Sequence, residues 1–417
     1  MSESVQPAGT RLGDGLFAEA TERPESIDAL REVVTRRAAE GRALYPQGGG
    51  TALDYGGTPR SPGVAVDTRG LNRVIDYPAA DMTITLEAGI TIASLSQVLR
   101  EQRQRLLIDA PHPERATLGG IYATNANGSR RYGAGSPRDQ IIGVGFVTSD
   151  GEVVKGGGRV VKNVAGYDFP KLITGSMGTL GIISHMTLAV RPMPEASALV
   201  WAPIPSPDRL ESILEALNTS GTRPIALDVL NRGGAMQVGG ALGMPQGDCV
   251  LVLGFEDNDA AVAWSLERLK DELVGIDFAT KRQNDSESLW LALTAFQSEE
   301  LGPVSFVANL RRSSVAEFVA GLDPEHWAVQ AHAGNGIVRA HALTSRDREA
   351  FKRDIDYWRA RAVRDGGNLI LSRCPAEWKP SLKVWGEPRG DWGLMERLKQ
   401  SLDPKAIMNP GRFVGTI

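Results

Sequence analysis

One run of the sequence has the residue types of a phosphate-binding loop: QGGGT at residues 47–51, directly after the short apolar segment Ala43–Pro46. Consecutive glycines leave backbone N–H groups unshielded by a Cβ, so such a loop can surround a pyrophosphate with donors, and Thr51 adds a hydroxyl. The run lacks the Gly-Lys-Ser/Thr ending of a Walker A loop. Taken alone, it is equally typical of a flexible surface turn.

Two further glycine-rich stretches lie at residues 116–133 and 175–183. The first mixes small residues with hydroxyl and amide side chains, which is not typical of a core segment. It suits a segment lying against a planar ligand with polar edges, because such a segment must offer backbone amides and admit the ligand closely. No Rossmann fingerprint is present, since Gly133-Ala134-Gly135 lacks a third glycine and Pro137 disfavours a following helix.

Composition excludes several classes of protein. The 417 residues suffice for two or three domains. Residues 41–191 contain 24 of the 47 glycines, which indicates that the backbone there lies unusually close to other groups or adopts positive φ angles. The net charge of −4 argues against nucleic acid as the main partner. Cys249 and Cys374 form no CxxC pair, so we expect neither an iron–sulfur cluster nor a zinc site built by this chain.

The residue pattern predicts neither a secretory leader nor a membrane span. Residues 1–19 lack a basic segment followed by an apolar one, and no window of about 18 residues is apolar throughout. We therefore expect a cytoplasmic protein.

Hydrophobic periodicity predicts an α+β fold. A helix is expected from Ser26, as N-cap, to Gly41, and strands alternate with helices from 199 to 371 in the pattern of an antiparallel sheet beneath helices. No internal repeat is visible. We divide the chain into a lead-in (1–25), a first domain (26–194), a second domain (195–390) and a C-terminal segment (391–417).

The three glycine-rich stretches, in this order and together with Lys162–Asp168, resemble those of FAD-containing flavoproteins of the vanillyl-alcohol oxidase and p-cresol methylhydroxylase (PCMH) type. Within that family the sequence is most similar to the smaller FAD-binding subunits of glycolate oxidase, from about Ser26 to Phe413. The resemblance implies a PCMH-type FAD-binding domain of two α+β subdomains, a ferredoxin-like α+β cap domain and FAD as a non-covalent cofactor.

The resemblance also assigns residues to the cofactor. Those expected to meet phosphate are Gln47, Gly48, Gly49, Gly50 and Thr51. Those expected to contact the rest of FAD are Pro111, Thr117, Leu118, Gly119, Gly120, Thr124, Gly128, Gly181 and Ile182. Asn409 belongs to the C-terminal segment, which is expected to return and close over the flavin.

The sequence departs from related D-2-hydroxy-acid dehydrogenases in the expected substrate region. Those proteins usually carry an acidic residue where this chain has Met177, and a motif H-x-G-D-G-N-x-H where this chain reads HAGNGI at 332–337. A later Glu-His-Gly element is absent, since residues 368–388 contain no histidine. We therefore expect no metal site.

Three residues remain as candidates for chemistry. His332 and His341 could form a substrate site or could be two hydrogen-bonded structural residues, and the missing acidic partner favours the structural role. Lys162 could place a positive charge near the flavin or face solvent, and the sequence favours neither.

The expected function is that of an FAD-binding subunit of a multi-subunit glycolate (D-2-hydroxy-acid) oxidase. Its partners would be a larger flavin subunit that oxidises the acid and an iron–sulfur subunit, and contact with a membrane would arise only through them. Two alternatives stay open. The chain could be a self-sufficient FAD-dependent dehydrogenase of a small 2-hydroxy acid, or a structural subunit whose flavin is idle.

Overall fold

The computed structural model describes residues 9–60, 62–158 and 166–417. We call the described residues up to 192 the N-terminal domain. Its strands are β1 Arg11–Gly13, β2 Leu16–Phe17, β3 Ala20–Glu22, β4 Leu44–Gln47, β5 Val64–Asp67, β6 Val74–Asp76, β7 Thr83–Glu87, β8 Gln104–Arg105, β9 Ile141–Val147, β10 Val153–Gly157, β11 Ile182–Ala189 and β12 Arg191–Pro192. Its helices are α1 Ile27–Ala39, α2 Ile92–Glu101, α3 Leu118–Thr124, α4 Arg131–Ala134, α5 Pro137–Gln140 and α6 Phe169–Ile173.

Residues 196–373 form the cap domain, and the C-terminal segment follows it. The cap strands are β13 Ala196–Ile204, β14 Ala226–Asn231, β15 Cys249–Asp257, β16 Ala279–Arg282, β17 Ser305–Asn309, β18 Trp327–His332, β19 Ile337–Ala342 and β20 Asn368–Arg373. The cap helices are α7 Pro207–Asn218, α8 Arg232–Gly239, α9 Asp259–Glu272, α10 Asn284–Ala295, α11 Val315–Gly321 and α12 Arg348–Arg364. The segment adds α13 Lys379–Leu382 and α14 Trp392–Leu402.

The first part of the N-terminal domain is a small parallel sheet under α1. Strand β5 lies between β3 and β4 and pairs with both in parallel. Helix α1 begins as predicted, where the Ser26 hydroxyl accepts a hydrogen bond from the Ala29 N–H at 3.1 Å. Its buried residue Leu30 belongs to the same core as Leu44. This packing fixes the end of β4, from which the run at 47–51 starts.

The second part of this domain is an antiparallel sheet, ordered β10-β9-β11-β7-β6 within the described residues. The hairpin predicted around residues 149–151 joins β9 to β10, with Val153 opposite Val147. Buried Leu86 and Phe146 lie in its core. The sheet holds the third glycine-rich stretch directly before β11.

The cap domain is built from two copies of the ferredoxin-like βαββαβ topology. Strands β13 to β16 are ordered β16-β13-β15-β14, strands β17 to β20 are ordered β18-β19-β17-β20, and β14 pairs antiparallel with β18 to give one sheet. The ferredoxin-like prediction is confirmed in a doubled form. The repeat cannot be seen in the sequence, because each copy needs apolar residues at its buried positions but the two copies need not have the same residues there.

The two faces of the cap sheet have different neighbours. Helices α7, α9, α11 and α12 contribute to the apolar core on one face. Helices α8 and α10 cover part of the other face. The remainder of that face meets the N-terminal domain, where the Gly133 N–H donates to the Ile225 carbonyl at 2.9 Å and the Ser129 hydroxyl donates to Asp228 at 2.5 Å.

A buried ion cluster joins the two domains. The Arg130 guanidinium lies 2.6 Å from Asp109 of its own domain and 2.8 Å from Glu256 of the cap. Arg105 approaches the same Glu256 at 2.5 Å, and Arg130 stacks 3.7 Å above the ring centroid of Trp290. The charges of these arginines lower the pKa of Glu256 against the opposing effect of burial. The carboxylate therefore stays ionised between the domains.

The C-terminal segment returns to the N-terminal domain. The Leu44 N–H donates to the Ile407 carbonyl and the Asn409 N–H donates to the Leu44 carbonyl, both at 2.8 Å. The buried ammonium of Lys399 donates to the Thr179 carbonyl at 2.8 Å and to Asp403 at 2.5 Å. These bonds hold the segment beside β4.

Helices α3 to α5 lie between residues 118 and 140, in a region where the sequence indicated no helix. Thr117 caps α3 by accepting a hydrogen bond from the Gly120 N–H at 3.3 Å. Pro137 opens α5, so the expectation that it prevents a helix is wrong. The backbone N–H groups in the first turn of a helix have no partner within the helix, so a proline there costs no hydrogen bond.

We expect Arg130→Met to lower the free energy of unfolding by about 3–5 kcal/mol, because it leaves buried carboxylates unpaired. Urea denaturation of the purified protein measures this change. Arg364→Met is the matched control, since its side chain is 67% exposed and surface changes cost about 0.5 kcal/mol or less. Equal stability of the two variants would contradict the role assigned to Arg130.

Candidate functional site

The run at 47–51 borders a cavity of about 160 Å³. The cavity lies between β4, the 111–126 region and the C-terminal segment. The residues expected to contact FAD that line it are Gln47, Gly48, Gly49, Gly50, Thr51, Pro111, Thr117, Gly120, Thr124 and Asn409. Residues from three distant parts of the sequence therefore share one surface.

A second cavity, of about 60 Å³, adjoins the first. It is lined by Gly119, Gly181 and Ile182, and it shares Gln47, Gly48 and Gly120 with its neighbour. Together the two cavities follow a path from the start of β11, past helix α3, to the C-terminal segment.

The backbone of the run offers free donors to this path. Within the described residues, the N–H groups of Gly48, Gly49, Gly50 and Thr51 donate to no other protein group. Unpaired amides on consecutive residues form a concave set of donors suited to an anion.

Two of these glycines allow the run to pack closely. A Cβ built on Gly48 would lie 1.9 Å from the Thr117 hydroxyl oxygen, and one on Gly49 would lie 1.7 Å from the Arg115 carbonyl oxygen. A side chain at either position would push the run away from the 115–117 backbone. The two glycines thus let the run pack against the 115–117 backbone, and they also leave its amides exposed to the cavity.

Two residues expected at the cofactor line neither cavity. Leu118 is fully buried in the core of the N-terminal domain. Gly128 lies between the domains, since an added Cβ would lie 2.4 Å from the Cβ of Asp109 in its own domain and 2.7 Å from the amide nitrogen of Gln297 in the cap. Gly128 therefore lets the two domains approach each other.

The first cavity also has walls that were not among the residues expected to contact FAD, formed by Leu12, Tyr55, Met177 and Arg412. Arg412 donates to the Gly57 carbonyl at 2.9 Å. The Asn409 amide donates to the Met177 carbonyl at 2.6 Å. Leu12, Tyr55 and Arg412 belong to none of the motifs noted in the sequence, so only the folded chain identifies them, whereas Met177 lies in the third glycine-rich stretch.

His332 has an acidic partner that the motif does not contain. Its Nδ1 lies 2.9 Å from Asp228 Oδ1 on the neighbouring strand β14. The other oxygen of Asp228 accepts hydrogen bonds from Ser129 at 2.5 Å and from the Gln330 amide at 2.9 Å. The expectation that His332 lacks an acidic partner is therefore wrong.

His341 is a buried neutral histidine. Its Nδ1 lies 2.8 Å from the Ser305 hydroxyl, and its ring meets Phe296 edge to face at 4.8 Å. Burial, with the nearby charges of Arg339 and Arg373, lowers the pKa of His341 to about 3. The Nε2 atom of His332 has no hydrogen-bond partner in the described residues.

Three further predictions concern Lys162, a metal site and a membrane span. Lys162 lies outside the described residues. Within those residues, no group of three or more His, Cys, Asp or Glu side chains is placed to hold a metal ion. None of the helices seen in the described ranges combines the length and apolar character needed to cross a bilayer.

Comparison with known protein families identifies the cofactor. A family described as FAD binding domain matches residues 18–157, which include the run and most of the cavity walls. The chain carries an FAD-binding domain. Residues 386–413 match the C-terminal domain of FAD linked oxidases, which is the segment that returns beside β4. FAD is therefore the cofactor of this protein.

Several curated proteins resemble the FAD-binding chain. Glycolate oxidase subunit GlcD of Bacillus subtilis is 23% identical over 420 residues, covering 95% of this chain and 88% of that protein. D-lactate dehydrogenase of Archaeoglobus fulgidus is 25% identical, with 97% and 92% covered. Glycolate oxidase subunit GlcE of Escherichia coli is 32% identical over 188 residues, covering 45% of this chain and 53% of that protein.

A solved structure shares the fold. The structure of an alkyldihydroxyacetonephosphate synthase superposes with a TM-score of 0.67 at 18% sequence identity, covering 94% of this chain and 76% of that one. The likeness extends over the N-terminal and cap domains and supports the PCMH-type α+β assignment.

The residues of the two cavities fit FAD. The unpaired amides of the run suit the pyrophosphate, and Gly120 leaves both cavities open, since an added Cβ would meet only the Thr117 hydroxyl oxygen, at 3.2 Å. Thr51, Thr124 and Asn409 add polar side chains along the path. Bound FAD would supply an acceptor for a hydride.

We expect Gly120→Asp to lower the visible flavin absorbance of the purified FAD-binding chain at least about tenfold, because its carboxylate enters both cavities and repels the pyrophosphate. Gly120→Asn is the matched control, with nearly the same volume and no charge. Equal flavin content in the two variants would contradict the assignment of this surface to phosphate.

The pKa of His341 gives a pH prediction. Between pH 6.5 and about 3 the unfolded chain binds a proton at this residue and the folded chain does not, so stability falls as the pH falls through this window. When the pH is lowered from 7 to 5, we expect the free energy of unfolding of His341→Asn to fall by about 1–2 kcal/mol less than that of the wild type. Urea denaturation at both pH values measures this, and equal losses would refute the assignment.

Proposed function

We propose that this chain is an FAD-binding subunit of a multi-subunit oxidase of small 2-hydroxy acids such as glycolate. The observation that carries the proposal is the match to glycolate oxidase subunit GlcD over 95% of this chain and 88% of that protein. The match to glycolate oxidase subunit GlcE adds support at higher identity over the shorter region. Its enzyme class is oxidoreductase acting on a CH–OH group.

The proposed partners are a larger flavin subunit, which oxidises the acid, and an iron–sulfur subunit, which accepts the electrons. The two cysteines support the assignment of the iron–sulfur cluster to another subunit. Cys249 and Cys374 are both buried, and burial raises the pKa of each thiol to about 12. Neither thiol is suited to become a metal-binding thiolate, so a relay of single electrons requires another chain.

A second candidate is a self-sufficient dehydrogenase of a 2-hydroxy acid, in line with the printed name of the A. fulgidus relative. The observation that favours it is the Asp228–His332 pair. Because Nδ1 of His332 donates to Asp228, its Nε2 is left to accept the proton of a hydroxyl group. In this function the acid would reduce the flavin of the chain without partners.

Anaerobic addition of glycolate to the purified chain separates the candidates. We expect the flavin absorbance to persist in the isolated chain, although dithionite bleaches it. Bleaching by glycolate within seconds would overturn the subunit proposal and establish the second candidate.

The reconstituted assembly gives the matched comparison. An assembly containing the Gly120→Asp variant should have one reducible flavin fewer than the wild-type assembly after addition of glycolate. If both assemblies bleach by the same amount although the wild type holds one flavin more, glycolate does not reduce that flavin, and the chain is the structural subunit with an idle flavin.

A further inference from the structure

The outer edge of strand β16 is open. Within the described residues, β16 is the last strand of the cap sheet and pairs only with β13. The backbone groups on its other side therefore have no strand beside them. Such an edge is a template for an added strand unless the protein blocks it.

The register of β16 with β13 shows which backbone groups face this edge. The Gln283 N–H donates to the Ser197 carbonyl at 2.8 Å, which continues the register of the two strands. Hydrogen-bonded and non-hydrogen-bonded pairs alternate along an antiparallel ladder, so Lys281, two residues earlier, also bonds to β13. Thr280 and Arg282, the neighbours of Lys281, therefore turn their N–H and C=O groups outward.

An open cavity of about 610 Å³ continues this edge. The pairing with β16 stops at Trp201, although β13 runs on to Ile204. Pro203 lies at the next bonding position of β13 and has no N–H to donate, so the two segments separate there. The walls that matter below are Pro205, Pro245, Ile276, Asp277 and Phe278, and no residue of this cavity lines either FAD cavity.

We call residues 276–282 the edge strip. Ile276 and Phe278 pack against the core under helices α7 and α9, whereas Ala279 packs against the core under α8 and α10. Side chains alternate between the two faces of an extended chain. Phe278 continues this alternation before β16 begins, so its backbone groups face outward as those of Thr280 do.

The two ends of the edge strip carry opposite charges. Asp277 lies at the cavity, and Lys281 and Arg282 lie at the end of β16. Within the described residues none of these three side chains forms an ion pair, whereas Asp248, the other carboxylate of the cavity, pairs with Arg232. A segment with an anion at one end and cations at the other is complementary to its own antiparallel copy.

Charge selects one register for such a copy. An antiparallel twofold pairing must bring outward-facing positions opposite each other, so its centre can lie at Ala279, Thr280 or Lys281. A centre at Lys281 puts two ammonium groups directly opposite, which is destabilising, and a centre at Thr280 leaves the charges unmatched. A centre at Ala279 places Lys281 of each copy opposite Asp277 of the other and pairs Thr280 with Phe278.

We propose that the edge strip binds a second copy of this chain, antiparallel and about a twofold axis at Ala279. The two cap sheets then continue as one sheet through backbone hydrogen bonds between Thr280 and Phe278. Lysine on an exposed edge normally prevents such pairing, but here Asp277 of the second copy neutralises Lys281. The surface is separate from both FAD cavities, so the inference does not rest on the proposed function.

The cavity gains an occupant in this arrangement. Arg282 of each copy lies opposite Ile276 of the other, at the mouth of its cavity. The aliphatic stem of an arginine covers apolar surface while its guanidinium stays in water or near a carboxylate. The dimer therefore covers apolar walls that a monomer leaves open.

Sedimentation equilibrium of the purified, FAD-loaded chain tests this dimer. We expect the mass to rise from 44.8 kDa towards twice that value as the concentration rises from about 1 to about 100 µM. Asp277→Lys should raise the dissociation constant at least about tenfold, because both cross-strand pairs become repulsive. The double variant Asp277→Lys/Lys281→Asp should restore the wild-type constant, because it reverses each pair.

Thr280→Pro tests the backbone hydrogen bonds. Proline removes an N–H that points outward, which an edge strand tolerates, and it leaves the pairing with β13 intact. We expect dimerisation to weaken at least about tenfold. Thr280→Val is the matched control, since it keeps the N–H and should dimerise as the wild type does.

The outcomes decide the proposal without reference to activity. A chain that stays monomeric at about 100 µM would overturn it, and so would a dimer that all of these variants leave unchanged, since that dimer uses another surface. If Thr280→Pro does not fold, the charge variants decide alone, and a double variant that fails to restore dimerisation contradicts the register. Reduction of the flavin by glycolate is a separate measurement, so the proposed function can fail while the dimer stands.

Discussion

The structure depends on a buried guanidinium held between carboxylates of two domains. Arg130 belongs to the N-terminal domain, yet its partners are Asp109 of that domain and Glu256 of the cap. Each charge would be costly in the interface without the others. The cluster therefore fixes the one segment, residues 126–132, that carries Asn127, Gly128 and Ser129 to the cap.

Other buried cations close the chain around the cofactor cavity by binding backbone carbonyls. Lys379 donates to the Asp54 and Gly56 carbonyls and pairs with Asp14 at 2.7 Å, while Arg412 joins the same Asp14 at 3.3 Å. These bonds connect the N-terminal hairpin, the loop after the run and the C-terminal segment. The last residues of the chain thus help to form the wall of a site whose phosphate-binding loop lies near its beginning.

Local features of the site could be read from the sequence. Ser26 begins α1 as predicted because a cap needs only a side-chain oxygen and the next three residues. The run at 47–51 directly follows a strand, and its unpaired amides result from glycines adjacent in sequence. The helix at 118–124 escaped prediction because its two glycines and its threonine have low helix propensity, and packing of buried Ile121 and Tyr122 overrides that preference.

The sequence by itself indicated the α+β class through its hydrophobic periodicity and the glycine loops through residues adjacent in the chain, while its resemblance to known flavoproteins implied FAD. Only the tertiary structure decided the chemistry of the cap. Asp228 reaches His332 from 104 positions away, and the Ser129 hydroxyl of the N-terminal domain reaches the same carboxylate from 99 positions away. Ion pairs and unpaired polar atoms are properties of distance and burial, and neither can be read from the spacing of residues along the chain.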